Sequence, residues 1–135
     1  MREKKTGTHH IEDVSNESPV NLKTMPKSIK VSYAKYKIEP TPKGRISKEK
    51  RQRKRSSWLG ECHTEKSLIK VWKYQSPEEL ANTLLHEVGH AILWSQGVHL
   101  SESQEEKIVY AYTNGLCGLI RDNPELIRWL LKSLK

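Results

Sequence analysis

Residues 76–96 read SPEELANTLLHEVGHAILWSQ. Ser76 suits a helix N-cap, Pro77 the first helical position, and Glu79 completes a capping box with Ser76. No breaker follows until Gly97. Leu80, Leu84, Leu85, Val88 and Ile92 recur at helical spacing and form an apolar stripe. The stretch therefore predicts a long, well-capped amphipathic helix. Its middle carries HEVGH, residues 86–90, and the rest of the chain is read outward from there.

Residues four apart on a helix share a face, so His86 and His90 can aim ring nitrogens at one ion. Glu87 is rotated by about 100° from His86. It lies beside the ion rather than on it, where a general base for a metal-bound water belongs. Gly89 lets another element approach the helix closely. The bland alternative is a helix with two incidental histidines. The mid-helix position, the cap and the stripe all favour a zinc site instead.

Catalytic zinc usually takes three protein ligands, so one must come from elsewhere. The extended HExxHxxGxxH pattern is absent, because Leu93 and Gln96 hold the places of its glycine and last histidine. The candidates are His99 in the following loop and Glu102, Glu105 or Glu106 on the next helix. Ser101 with Gln104 forms a second capping box. The helix EEKIVYAYTNGLCGLIRD follows, with Val109, Tyr112, Leu116, Leu119 and Ile120 as its stripe. Glu106 stands at the edge of that stripe, turned toward the neighbouring helix, and Glu105 is the runner-up. Asn123 and Pro124 open a third helix, PELIRWLLKSL.

Upstream, SIKVSYAKYKIE at 28–39 alternates like a strand, with Ile29, Val31 and Tyr33 on one parity and the prolines Pro40 and Pro42 closing it. WLGECH leads into a further strand, SLIKVW, with Gly60 as a bend or bulge. This order predicts an α+β domain in which a short antiparallel sheet packs against three helices. Residues 1–26 are polar and aperiodic and read as a disordered N-terminal arm. The domain is then 27–135, with 43–57 as a basic loop inside it.

The formal net charge of +8 is unevenly spread. Residues 1–57 hold 16 Lys and Arg against 6 Asp and Glu, or +10, while residues 58–135 hold 8 against 10, or −2. Lys50, Arg51, Arg53, Lys54 and Arg55 dominate the run at 43–55. Such a run attracts nucleic-acid phosphates in a salt-sensitive, sequence-independent way; otherwise it meets an acidic protein partner or stays a solvated loop. Cys62 and Cys117 stand far apart and outside any CxxC, which fits a reducing cytoplasm. No apolar run is long enough for a membrane span, and the N-terminus lacks the apolar stretch of a secretory signal.

The stretch from Leu59 to Leu131 resembles the minimal zincin domains of phages and mobile elements, of the ImmA/IrrE and SprT-like kind. The segments that carry the resemblance are SLIKVW, TLLHEVGHAIL, EEKIVYAYTNGL and RDNPELIRWLL, a little over half the chain. The resemblance implies a zincin-like fold, one zinc ion and peptide-bond hydrolysis with Glu87 as general base. In the ImmA/IrrE group the third ligand is a Glu opening the helix after HExxH, which falls here on Glu106. Tyr110 and Tyr112, on the same helix, are candidates to donate to an oxyanion, or else pack in the core. The expected function is a zinc metallopeptidase acting on a protein or peptide. The rival expectation is a zincin-fold binding module that docks on nucleic acid or a larger assembly through its basic segment. The intact Glu87 favours the first, since a structural zinc needs no such carboxylate.

Overall fold

The computed structural model describes residues 20–42 and 59–135. In chain order the elements are α1 (Val20–Thr24), β1 (Ser28–Val31), β2 (Ala34–Thr41), β3 (Gly60–His63), β4 (Leu68–Trp72), α2 (Pro77–Ser95), α3 (Glu102–Asp122) and α4 (Pro124–Ser133). A 3-10 turn, Thr64–Lys66, joins β3 to β4. The class is α+β. The basic run Lys50, Arg51, Arg53, Lys54 and Arg55, and most of the segment read as an arm, lie outside the described residues. The short helix α1 falls inside that segment, and Leu22 and Met25 pack against the core.

The sheet order is β1-β2-β4-β3. The β1/β2 and β3/β4 pairs are antiparallel, but β2 and β4 run parallel. The sheet is therefore mixed, which corrects the antiparallel sheet expected from the sequence. The chain leaves β2, runs along the far edge as β3 and turns back inward as β4. This brings β4 beside β2 in the same direction. The run 28–39 is also not one strand. Ser32, in a left-handed conformation at φ 59°, and Tyr33 turn it into the β1–β2 hairpin. Tyr33 sits at the tip, 85% exposed, and no glycine or asparagine marks the turn in the sequence.

Pro40 does not end β2, which continues to Thr41. Lys37 donates its N–H toward β4, to Ser67 O at 3.0 Å, and Ile38 donates the other way, to Lys27 O at 2.9 Å. By that alternation the nitrogen of Pro40 faces the β1 side, where pairing stops at Ser28–Lys37. No ladder bond is lost there.

The core lies between the sheet and α2. Tyr36, Ile69 and Val71 from the sheet meet Leu80 and Ala91 from the helix. α2 is the helix that chiefly covers the sheet; α3 packs on α2, and α4 on α3. The three helices thus form a staircase, where the sequence reading packed all three against the sheet. Both capping boxes are present, at Ser76/Glu79 and Ser101/Gln104. α2 ends where expected, with Val98 N–H to Leu93 O at 3.0 Å and Gly97 N–H to Trp94 O at 3.1 Å around Gly97 at φ 72°. This is the Schellman pattern, which satisfies the last carbonyls.

The buried stripe of α2 is Leu80, Thr83, Glu87 and Ala91; Ile92 faces out. Gln75 is buried at the entry to the helix. Its amide donates to Trp72 O at 2.7 Å, and Thr83 Oγ1 donates to its carbonyl at 2.8 Å. This brace ties the end of β4 to the second turn of α2 and holds the motif over the sheet.

Gly60 is the first residue of β3, not a bulge. A Cβ there would lie 2.8 Å from Thr83 Cγ2 and 3.1 Å from both Glu87 Oε2 and Lys70 O. Only a glycine lets β3 approach α2 this closely. Gly60→Ala is expected to destabilise the protein by about 1–3 kcal/mol, the usual range for overpacking. Urea denaturation reads the effect, and an unchanged midpoint would mean that the strand and helix part without cost.

Candidate metal centre

The contact between α2 and α3 sets the site. Asn82 Nδ2 donates to Asn114 Oδ1 at 2.9 Å. A Cβ on Gly89 would stand 3.0 Å from Val109 Cγ1, so Gly89 admits α3 at close range, as expected. With this register His86 and His90 face the first turns of α3. Among the described residues, His86, His90 and Glu106 form a group that could hold a metal ion, with their donor atoms within 4.8 Å of one another.

The Glu106 carboxylate spans the two rings: Oε1 is 3.1 Å from His86 Nε2, and Oε2 is 3.0 Å from His90 Nε2. Donors held 2.0–2.2 Å from a tetrahedral zinc are roughly 3.3–3.5 Å apart. The two Glu106–histidine separations lie slightly inside that spacing. Two imidazole nitrogens and one carboxylate also suit zinc chemically. His86 is held below its ordinary pKa, first by burial and also by His90, with Glu106 opposing. That favours the neutral imidazole, the form that binds metal.

Glu105, the runner-up ligand, does something else. Its Oε2 is 2.6 Å from His90 Nδ1. A carboxylate on one ring nitrogen fixes the tautomer and leaves the other for a metal, so Glu105 orients the imidazole that Glu106 approaches from its other side. The two glutamates stand about 100° apart on α3, which lets them reach opposite sides of one ring. The stripe used to rank them is rotated in the structure. Val109 and Thr113 are its buried residues, while Tyr112 is 72% exposed.

Glu87 is only 7% exposed. It lies on the sheet-facing side of α2, with Oε2 near Gly60. Among the described residues its carboxylate has no hydrogen-bond or ion-pair partner. Burial raises its pKa to about 7; His90 opposes the shift, and Glu106 and Glu61 add to it. A buried carboxylate without a partner is costly, and such groups gather at functional sites.

The site opens into a cleft of about 600 Å³ between β3 and the loop that leads into α3. His90, Glu105 and Glu106 form one end, and Trp94, His99 and Glu102 the far wall. His99 and Glu102, candidates for the third ligand, thus line the approach and stay out of the triad. Tyr110 lies beside it, with its ring centroid 6.4 Å from that of His86. Tyr112 is exposed to solvent. Cys62 belongs to the sheet face under α2. Its thiol is pushed up to about 12, first by burial and then by Glu87, Glu105 and Glu65.

Two features escape sequence reading. One is the His90–Glu105 bond, since no spacing rule says which of two adjacent glutamates takes which nitrogen. The other is the pair formed by His63 Nε2 and Glu61 Oε1 at 2.7 Å on the rim of the cleft; its only signal is that residues two apart on a strand share a face. No family model matches the chain, and no curated protein or solved structure matches it.

Proposed function

We propose that the chain is a zinc-dependent peptidase of the minimal zincin kind, of phage or mobile-element type, with His86, His90 and Glu106 holding the ion. The observation that carries this reading is the Glu106 carboxylate set between both Nε2 atoms, at 3.1 and 3.0 Å, beside a buried Glu87 with no partner among the described residues. Zinc bound there would supply a Lewis acid that lowers the pKa of water to near 7 and polarises a carbonyl. Glu87 takes a proton from the attacking water and returns it to the leaving amine. Glu105 holds the His90 ring in place. Tyr110, the nearer of the two tyrosines, is the group to donate toward the developing oxyanion.

The sheet supports a peptide as the substrate. β3 is an edge strand that pairs with β4 alone among the described residues, and Glu61 to Thr64 border the cleft. An extended peptide can add to such an edge through main-chain hydrogen bonds. The test is digestion of an unfolded protein such as reduced casein by the zinc-loaded chain. Cleavage should stop with chelator, return with zinc and be missing in Glu87→Gln. Cleavage that survives both chelation and Glu87→Gln belongs to a contaminant or to another mechanism, and sinks the reading.

A further inference from the structure

The cleft beside the metal centre is electrically one-sided. Among the described residues, Glu61, Glu102, Glu105 and Glu106 line it, and no lysine or arginine does. Glu87, behind the cleft, is more than nine-tenths buried and has no hydrogen-bond or ion-pair partner among the described residues; it feels the charges of Glu61, His90 and Glu106. The four carboxylates that line the cleft outweigh the two charges of a divalent ion. Glu102, the first residue of α3, makes no hydrogen bond or ion pair among the described residues.

The far wall adds a second feature. Trp94, one turn beyond His90, is 56% exposed. Its ring packs edge-on against His99 with centroids 6.4 Å apart, and both residues line the cleft. An exposed tryptophan and a carboxylate without a hydrogen bond or ion pair among the described residues, both lining one cleft, suit a long cationic side chain: the stem lies along the ring, and the charge sits over it or on the carboxylate. Arginine suits it better than lysine, since a planar guanidinium can stack and pair at once. An extended occupant also suits the edge strand β3, whose Glu61, Cys62 and His63 line the same cleft.

We propose that the cleft selects extended peptide segments carrying arginine, and less strongly lysine, with Trp94 and Glu102 as the specificity-determining residues. This inference rests on the peptidase reading of the same site. It follows from charge complementarity with the cleft, and it separates the roles of the two halves of the chain, since the cleft is acidic although the chain as a whole is basic.

The experiment uses the full-length, zinc-loaded Glu87→Gln chain, which should hold peptide without cutting it. Two fluorescein-labelled alanine-rich peptides, alike except for arginine or glutamine at alternate positions, are titrated by anisotropy. The arginine peptide should bind about tenfold more tightly, as a cation–aromatic contact and an ion pair together allow. Glu102→Gln and Trp94→Ala, each added to the Glu87→Gln chain, should each reduce that preference about threefold with zinc content unchanged. Both side chains are exposed, so neither change threatens the fold. Equal binding of the two peptides, or a preference that survives both substitutions, overturns the proposal. The unsubstituted chain separates the two readings. If it cuts neither peptide while the preference holds, the peptidase reading fails by itself. If it cuts both at equal rates, the selectivity fails by itself.

Discussion

Glu87→Gln is expected to lower hydrolysis by about 10²- to 10⁴-fold, the usual contribution of a positioned general base, while zinc stays bound. The same substitution should stabilise the metal-free protein above neutral pH. The sign follows from linkage. The carboxyl has a folded pKa of about 7 against an ordinary 4.5. A raised folded pKa means that the native state holds the proton more tightly than the unfolded chain. The stability contributed is therefore full below about pH 4.5 and is lost as pH rises through about 7. At pH 8 the wild type buries a charge with no partner among the described residues, and the glutamine variant does not. The difference is on the order of 3 kcal/mol, read by urea denaturation in the presence of chelator. Chelation is part of the design, because a bound divalent ion opposes the shift. A variant less stable than wild type at pH 8, or one with wild-type turnover, would remove Glu87 from the role given to it.

The adjacent glutamates of α3 should separate cleanly. Glu105→Gln replaces the charged acceptor at His90 Nδ1 by a neutral amide and is expected to weaken zinc binding by about 10- to 100-fold, the usual cost of losing an orienting carboxylate. Glu106→Gln removes the carboxylate set between the two Nε2 atoms and should cost more than about 100-fold. Competition with a zinc chelator of known affinity measures both. The reverse order would make Glu105 the ligand and Glu106 its support.

The helical half of the chain was largely legible in the sequence. Caps are local: Ser76, Pro77 and Glu79 fix the start of α2, and Gly97 fixes its end. The i, i+4 spacing of His86 and His90 is likewise local, so their shared face could be read directly. The strands were harder. Ser32 and Tyr33 make a turn without the residues that usually announce one, so a hairpin looked like a single strand. The parallel β2–β4 pair depends on where the chain goes after β2, which no local pattern encodes. The face of α3 was misjudged for a related reason. Tyr112 counts as apolar in a periodicity, yet α2 meets α3 along Val109 and Thr113. Glu106 was nonetheless placed in the group with the histidines, because the two capped helices and the short loop between them leave little freedom in their register.

The claim on which everything else depends is that His86, His90 and Glu106 hold zinc. It is tested most directly by metal analysis of the protein purified without chelator, together with X-ray absorption at the zinc edge. The expected result is about one zinc per chain, bound by two imidazole nitrogens and oxygen donors with no sulfur, and lost on replacing Glu106. Less than about a tenth of an equivalent of any transition metal, or a sulfur ligand in the first shell, would contradict it.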